Sequence, residues 1–286
     1  ANGGVLPKVF PAWSKAARDR IADVGSIAPD VMFVAAGDFA CDLVHDGVAA
    51  GGIAPTPLGA LAVAGIPAKG LTLEPSAEDD AGIVHDLGAG VVAVAARYDV
   101  PRESCREWAT TLLSAVNPSR VVVLCAVDEH DVGYGVDGYR GSFVLDTAAQ
   151  RCGIHSLSLS DDDDERSPRA LPAGALIEGI AAAVAARCEM TGVPARIVAV
   201  PAPSGTAGAR GFGNGRHGGG PARRRRGIGP GFGGGVDGAA ASHAVLLTQR
   251  ACGIDFGGFG PSVHSVGASS KKPTSAVVDD GMRVYT

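Results

Sequence analysis

A three-layer α/β domain with a mainly parallel central sheet is the fold class this sequence predicts. Two observations carry that prediction. First, four short apolar runs rich in β-branched residues punctuate the chain: VMFVAA (31–36), VVAVAA (91–96), RVVVLCAV (120–127) and ARIVAV (195–200). None alternates with polar residues, so none reads as a strand with one wet face. Such runs suit strands covered on both sides, as in a parallel sheet between helical layers. Second, segments of helical period lie between the runs, and a helix–turn–strand unit occurs twice with a similar turn, AVNPSRVVVL and TGVPARIVAV. This is the alternation of an α/β fold.

The elements follow in order. Residues 39–50, FACDLVHDGVAA, place Phe39, Leu43 and Val44 toward one side of a helix. Residues 103–116 put Cys105, Trp108, Leu112 and Val116 on one stripe, at spacings of three, four and four. Asn117-Pro118 then stops that helix. Residues 173–191 repeat the pattern with Ile177, Ile180 or Ala181, Val184 and Cys188 on a shared face, and Gly192 is suited to terminate the helix. A further helix is expected within 237–253, where Val245, Leu246 and Leu247 would dock on the sheet. Hydrophobic residues make up 46% of the 286-residue chain but aromatics only 5%, so the core must rest on Val, Leu, Ile and Ala. The reading is one domain, 1–286. It carries an acidic surface loop at 160–169 (SDDDDERSPR), a low-complexity insert at 203–238 and a flexible tail at 253–286. The insert holds 15 of the 42 glycines and six arginines, too little apolar surface to fold on its own.

Composition narrows function. A net charge of −5 argues against the whole chain binding nucleic acid or a membrane surface. The most hydrophobic long stretch, 53–73, contains Pro55, Pro57, Pro67 and Lys69 and is a poor membrane span. The opening residues, ANGGVLPKVFPAWSKAARDR, lack the continuous apolar run of a signal peptide. The six cysteines form no C-x-x-C pair, and Cys41, Cys105, Cys125 and Cys188 sit in apolar segments. That pattern reads as reduced, buried thiols in a cytoplasmic protein, with the arginine run a candidate nuclear-import patch.

Catalytic spacing is sparse. The chain has neither a G-x-S-x-G elbow nor a G-x-x-x-x-G-K-[ST] phosphate loop. Gly229, Gly231 and Gly234 match G-x-G-x-x-G only inside the glycine-rich insert, without the adjoining strand and helix a dinucleotide site needs. His45-Asp46 and His85-Asp86 are possible ligand pairs. Asp128-Glu129-His130-Asp131 follows an apolar strand, the position where open α/β sheets bind ligands. It is therefore the strongest enzyme-like feature, with a solvated loop as the plainer alternative. Cys152-x-x-His155 is half of a zinc pattern without its partner half. No cofactor and no metal site are expected. The insert also supports an RNA-associated reading, because Phe212 and Phe232 interleave with Arg210, Arg216 and Arg223–Arg226.

The chain ends Val284-Tyr285-Thr286: an aliphatic side chain, a phenol and the terminal carboxylate, after about 30 polar, glycine-rich residues able to carry the tip away from the domain. An apolar slot with a lysine could take all three features, the lysine fixing the direction of entry. This hydrophobic–tyrosine–any-residue ending is similar to those that dock between α-subunits of the 20S proteasome. With it, residues 30–44, 91–131 and 176–200 resemble, in order, the strand, helix and strand blocks of the proteasome assembly chaperones, in particular the tail-bearing partner of their heterodimer. The resemblance covers somewhat under a third of the chain. It implies a non-enzymatic protein that pairs with a second, related chaperone subunit and caps the outer face of the α-ring. It further implies promotion of α-ring formation and exclusion of activators and the regulatory particle from immature particles. By matching position, Val284 would fill the slot, Tyr285 would pack and hydrogen-bond at its mouth, and the Thr286 carboxylate would meet the pocket lysine.

Overall fold

The computed structural model describes residues 9–42, 52–64, 82–97, 99–132, 141–152, 168–202 and 238–252. The elements run β1 Val9–Trp13, α1 Lys15–Val24, β2 Val31–Ala36, β3 Thr56–Val63, β4 Ile83–Gly88, β5 Val91–Ala96 and α2 Arg102–Ala115. They continue through β6 Arg120–Asp128, β7 Phe143–Asp146, α3 Ala148–Cys152, β8 Arg169–Ala170, α4 Gly179–Thr191, β9 Ala195–Ala202 and α5 Gly238–Cys252. Among the described residues the strands form one sheet in the order β1-β3-β4-β5-β2-β6-β9-β7-β8. Its centre, β5-β2-β6-β9, is wholly parallel. These are the four runs the sequence marks out.

The reason for the unbroken apolar runs is visible in the core. Met32 and Val34 of β2 face one hydrophobic cluster, while Val31, Phe33 and Ala35 face the other. In β6, Val121, Val123 and Cys125 face the first cluster, and Val122 and Leu124 the second. The first cluster lies under α1, α2 and α4; the second lies under α5 and a helical start at 38–42. Helices thus cover both faces of one sheet, which is the three-layer α/β architecture.

The wings differ from the centre. β1, β3, β4 and β5 pair antiparallel in succession, as do β9 and β7, while β7 and β8 pair parallel. The sequence reading contains none of the five wing strands. Among the described residues β1 is the edge strand, with proline in its middle. The Leu61 N–H donates to the Gly82 carbonyl and so points toward β4. Its β1 partner Pro11 therefore turns its backbone to the outer edge, where a missing N–H breaks no bond to β3. Edge proline also discourages pairing with other chains.

The helices refine the sequence expectations. In α2, Cys105, Trp108 and Leu112 are buried as their spacing requires, and Val116 is buried just beyond the helix end. Val116 is extended (φ −110°, ψ 104°) and bridges to Ile27. α4 ends at Gly192 (φ 71°), whose N–H caps the Cys188 carbonyl, but it begins at Gly179 rather than 173. Gly174 and Gly179 take φ of 95° and 64°, so the right-handed helix does not extend upstream of Gly179. In α5, Val245 and Leu247 are buried but Leu246 is 45% exposed, correcting the expectation that all three dock. Successive helical residues are about 100° apart, so three in a row cannot share a face. Docked on the second cluster are Ala240, Ala241, Ala244, Val245, Leu247, Ala251 and Cys252, with Thr248 also buried. Within the predicted 39–50 helix, Ala40 and Cys41 are buried and Phe39 packs against the second cluster. Leu43 and Val44 lie outside the described residues.

No helix among the described residues is long and apolar enough to cross a membrane.

Candidate functional site

The natural place to look for a site is the carboxyl end of the parallel centre. β2 leaves through Gly37 (φ 91°), whose N–H donates to the Ala96 carbonyl at 2.8 Å, into the helical start under the second cluster. The adjacent β5 leaves through Arg97 and Asp99 to α2, on the opposite face. Connections that part from neighbouring strands to opposite sides open a crevice, the usual ligand position in such sheets. Here the side chains at that point satisfy one another. Arg97 lies 2.7 Å from Asp42 and 4.0 Å from Asp38. Burial, and then the Asp38 charge, push the Asp99 carboxyl above its ordinary range.

The acidic turn after β6 also closes on itself. Asp128 Oδ1 accepts the His130 N–H at 2.9 Å, and its carbonyl accepts the Asp131 N–H at 3.1 Å. The Glu129 N–H donates to Ala202 at 3.0 Å, anchoring the turn to β9. This is the side-chain turn that aspartate commonly builds. The other candidates do not converge. His85 and Asp86 are neighbours along β4, so their side chains leave opposite faces of the sheet. Burial pushes the His85 imidazole below its ordinary value, while Asp86 accepts the Gly88 N–H. Cys152 is exposed at the end of α3. His45, Asp46 and His155 lie outside the described residues. Among the described residues no group of three His, Cys, Asp or Glu side chains could hold a metal ion.

The thiols follow the sequence reading, with one addition. Cys41, Cys105, Cys125 and Cys188 are buried, and so is Cys252 on α5. Burial pushes Cys41, Cys125, Cys188 and Cys252 up to about 12 and raises Cys105 as well. A thiol held protonated in this way is a packing group and a poor nucleophile.

Two polar contacts escaped the sequence reading because their partners are far apart in the chain. Arg196 on β9 and Asp146 on β7 form a two-pronged ion pair, with both N···O distances 2.7 Å. His243 on α5 meets Ser142, the residue before β7, through Nδ1. No local spacing signals either one. The residues predicted to bind a partner, Val284, Tyr285 and Thr286, lie outside the described residues, as do 160–167 of the acidic loop and 203–237 of the insert.

No family model matches the chain, and no curated protein matches it. Solved structures do. Two crystal structures of Pyrococcus furiosus PbaA, described as an archaeal homolog of proteasome-assembly chaperone, align with TM-scores of 0.53 and 0.51. The first, a monoclinic form, is 12% identical and covers 87% of this chain and 83% of PbaA. The second is 13% identical and covers 90% of this chain and 89% of PbaA. At that identity the likeness is one of fold, and it spans nearly the whole of both chains.

Proposed function

We propose that this chain is a subunit of a proteasome assembly chaperone. It takes the role of proteasome assembly chaperone 1, the tail-bearing member of a heterodimer. The observation that carries the reading is the fold shared with PbaA across most of both chains. The sequence adds a terminal Val284-Tyr285-Thr286 of the kind that enters pockets between α-subunits. The role is non-enzymatic: the body pairs with a related subunit and rests on the outer face of the α-ring, where it favours ring formation and keeps activators and the regulatory particle away.

The tail's contribution follows from ordinary binding physics. Burying an aliphatic and an aromatic side chain is worth a few kcal/mol, about 2 for each. Ordering the residues between Cys252 and the tip costs part of that gain. The tail alone therefore binds weakly, and joint contact by body and tip supplies the rest through effective concentration. Titrating purified α-subunit rings with the heterodimer tests this. Tyr285→Ala weakens binding by about tenfold or more, the loss of one desolvated anchor, and leaves the thermal unfolding midpoint unchanged. Equal affinity for both proteins overturns the tail assignment.

A further inference from the structure

Ser142 is fully buried, one residue before β7, and His243 lies in the second turn of α5. The Ser142 main-chain N–H donates to His243 Nδ1 at 3.0 Å, and Ser142 Oγ lies 2.9 Å from the same nitrogen. A main-chain N–H can only donate. Nδ1 must therefore present a lone pair, which fixes the imidazole as neutral with its proton on Nε2.

We propose that this contact is a pH-operated latch holding α5 on the sheet. When the imidazole takes a second proton from solvent, Nδ1 becomes an N–H facing another N–H. Ser142 Oγ can turn to accept, but the buried main-chain donor loses this bond to Nδ1, and losing a hydrogen bond at a buried donor is costly. Docking is thus linked to the neutral ring: the latch is closed above the imidazole's titration and opens as pH falls through it.

The charged groups on the elements packed against α5, among the described residues, are these. α5 packs on β9, β6 and β2. β9 contributes Arg196, already closed on Asp146 of β7. β6 contributes Arg120 at its start and Asp128 at its end, and β2 has no titratable residue. On α5 itself, Arg250 lies two turns further along and Cys252 is a buried, protonated thiol. Of these, Asp128 lies at the same end of the sheet as Ser142, followed in the turn by Glu129, His130 and Asp131. α5 is the last described element before the terminal residues, so under the proposed function the latch also bears on the tail. That use of the latch rests on the chaperone reading; the latch itself does not.

Hydrogen exchange of the full chain, read at about pH 7.5 and about pH 5.5 and corrected for intrinsic rates, tests the proposal alongside an NMR titration of the His243 ring. Protection across α5 and at the Ser142 amide falls by about tenfold or more at the acid pH, with a midpoint matching the ring's own titration. His243→Asn retains an acceptor oxygen and does not titrate, so its protection is independent of pH. If that variant fails to fold, the coincidence of the two wild-type midpoints decides. Protection that persists through the His243 titration, or that a folded His243→Asn loses equally at acid pH, overturns the latch.

Discussion

The centre of the sheet and its wings are held together by different physics. β2, β6 and β9 are covered on both faces, and Met32, Val34, Val122, Val123, Val198 and Val200 are almost wholly buried. Among the described residues β1 is the edge strand on one side, with Phe10 53% exposed, and β8 is two residues long. On the β7 wing the anchor is polar: Arg196, 7% exposed at its side chain, grips Asp146. Stability at the centre comes from removing apolar surface from water. At the β7 wing it comes from satisfying charges that the fold has already desolvated.

Four substitutions at three positions sharpen that contrast, beginning with the largest effect. Trp108 is fully buried in the first cluster against Gly82. Trp108→Ala is expected to lower stability by about 3–5 kcal/mol in urea titration. Phe10→Ala on the β1 edge strand is expected to cost under about 1 kcal/mol. Similar losses would mean that the wing is as tightly packed as the centre. Arg196→Ala strands Asp146 beside a closed β-ladder, and about 3 kcal/mol is expected, in the range for breaking a buried pair. Arg196→Met restores volume without charge and recovers part of that loss only if Asp146 can reach water. Equal denaturation midpoints for Arg196→Ala and the wild type would show that the pair is ornamental.

The cysteines give a smaller, pH-resolved test of the buried clusters. Four thiols rise from 9.0 to about 12 in the fold, first of all because they are buried. A group that binds its proton more tightly when folded stabilises the fold below its unfolded value. That contribution is lost as pH climbs from 9.0 toward 12. Urea midpoints should therefore be flat across neutral pH and fall above about pH 9. A thiol reagent near neutral pH should modify Cys152 first, since it alone is exposed among the six. Rapid labelling of Cys125 or Cys188 in folded protein would contradict their burial.

The same contrast explains what could be read from the sequence. β2, β5, β6 and β9 announce themselves because both of their faces are apolar. The wing strands do not. β1 and β3 carry prolines at Pro11 and Pro57, with a register shift beside Pro57, so they look like loops. The stripe Cys105, Trp108, Leu112 and Val116 was legible because one helical period fixes one face. The start of α4 was not, since only backbone angles at Gly174 and Gly179 exclude a helix there. At the carboxyl end, the run Asp128–Asp131 was visible as a cluster, whereas its use of those groups to build a turn depends on Ala202, seventy-odd residues away. Ser142–His243 and Asp146–Arg196 are contacts of the same long-range kind. They exist only once the sheet has been assembled.

The proposed function is the holding of a partner, and identifying what the chain holds in its own cell tests it most directly. Affinity purification of the full chain, and of a chain lacking Val284–Thr286, followed by identification of the bound proteins, separates the outcomes. Recovery of proteasome α-subunits together with one related chaperone subunit is the expected result. Truncation should retain the chaperone partner and lose most of the α-subunits. A full chain that brings down neither, or a truncated chain that retains the α-subunits undiminished, contradicts the proposed function.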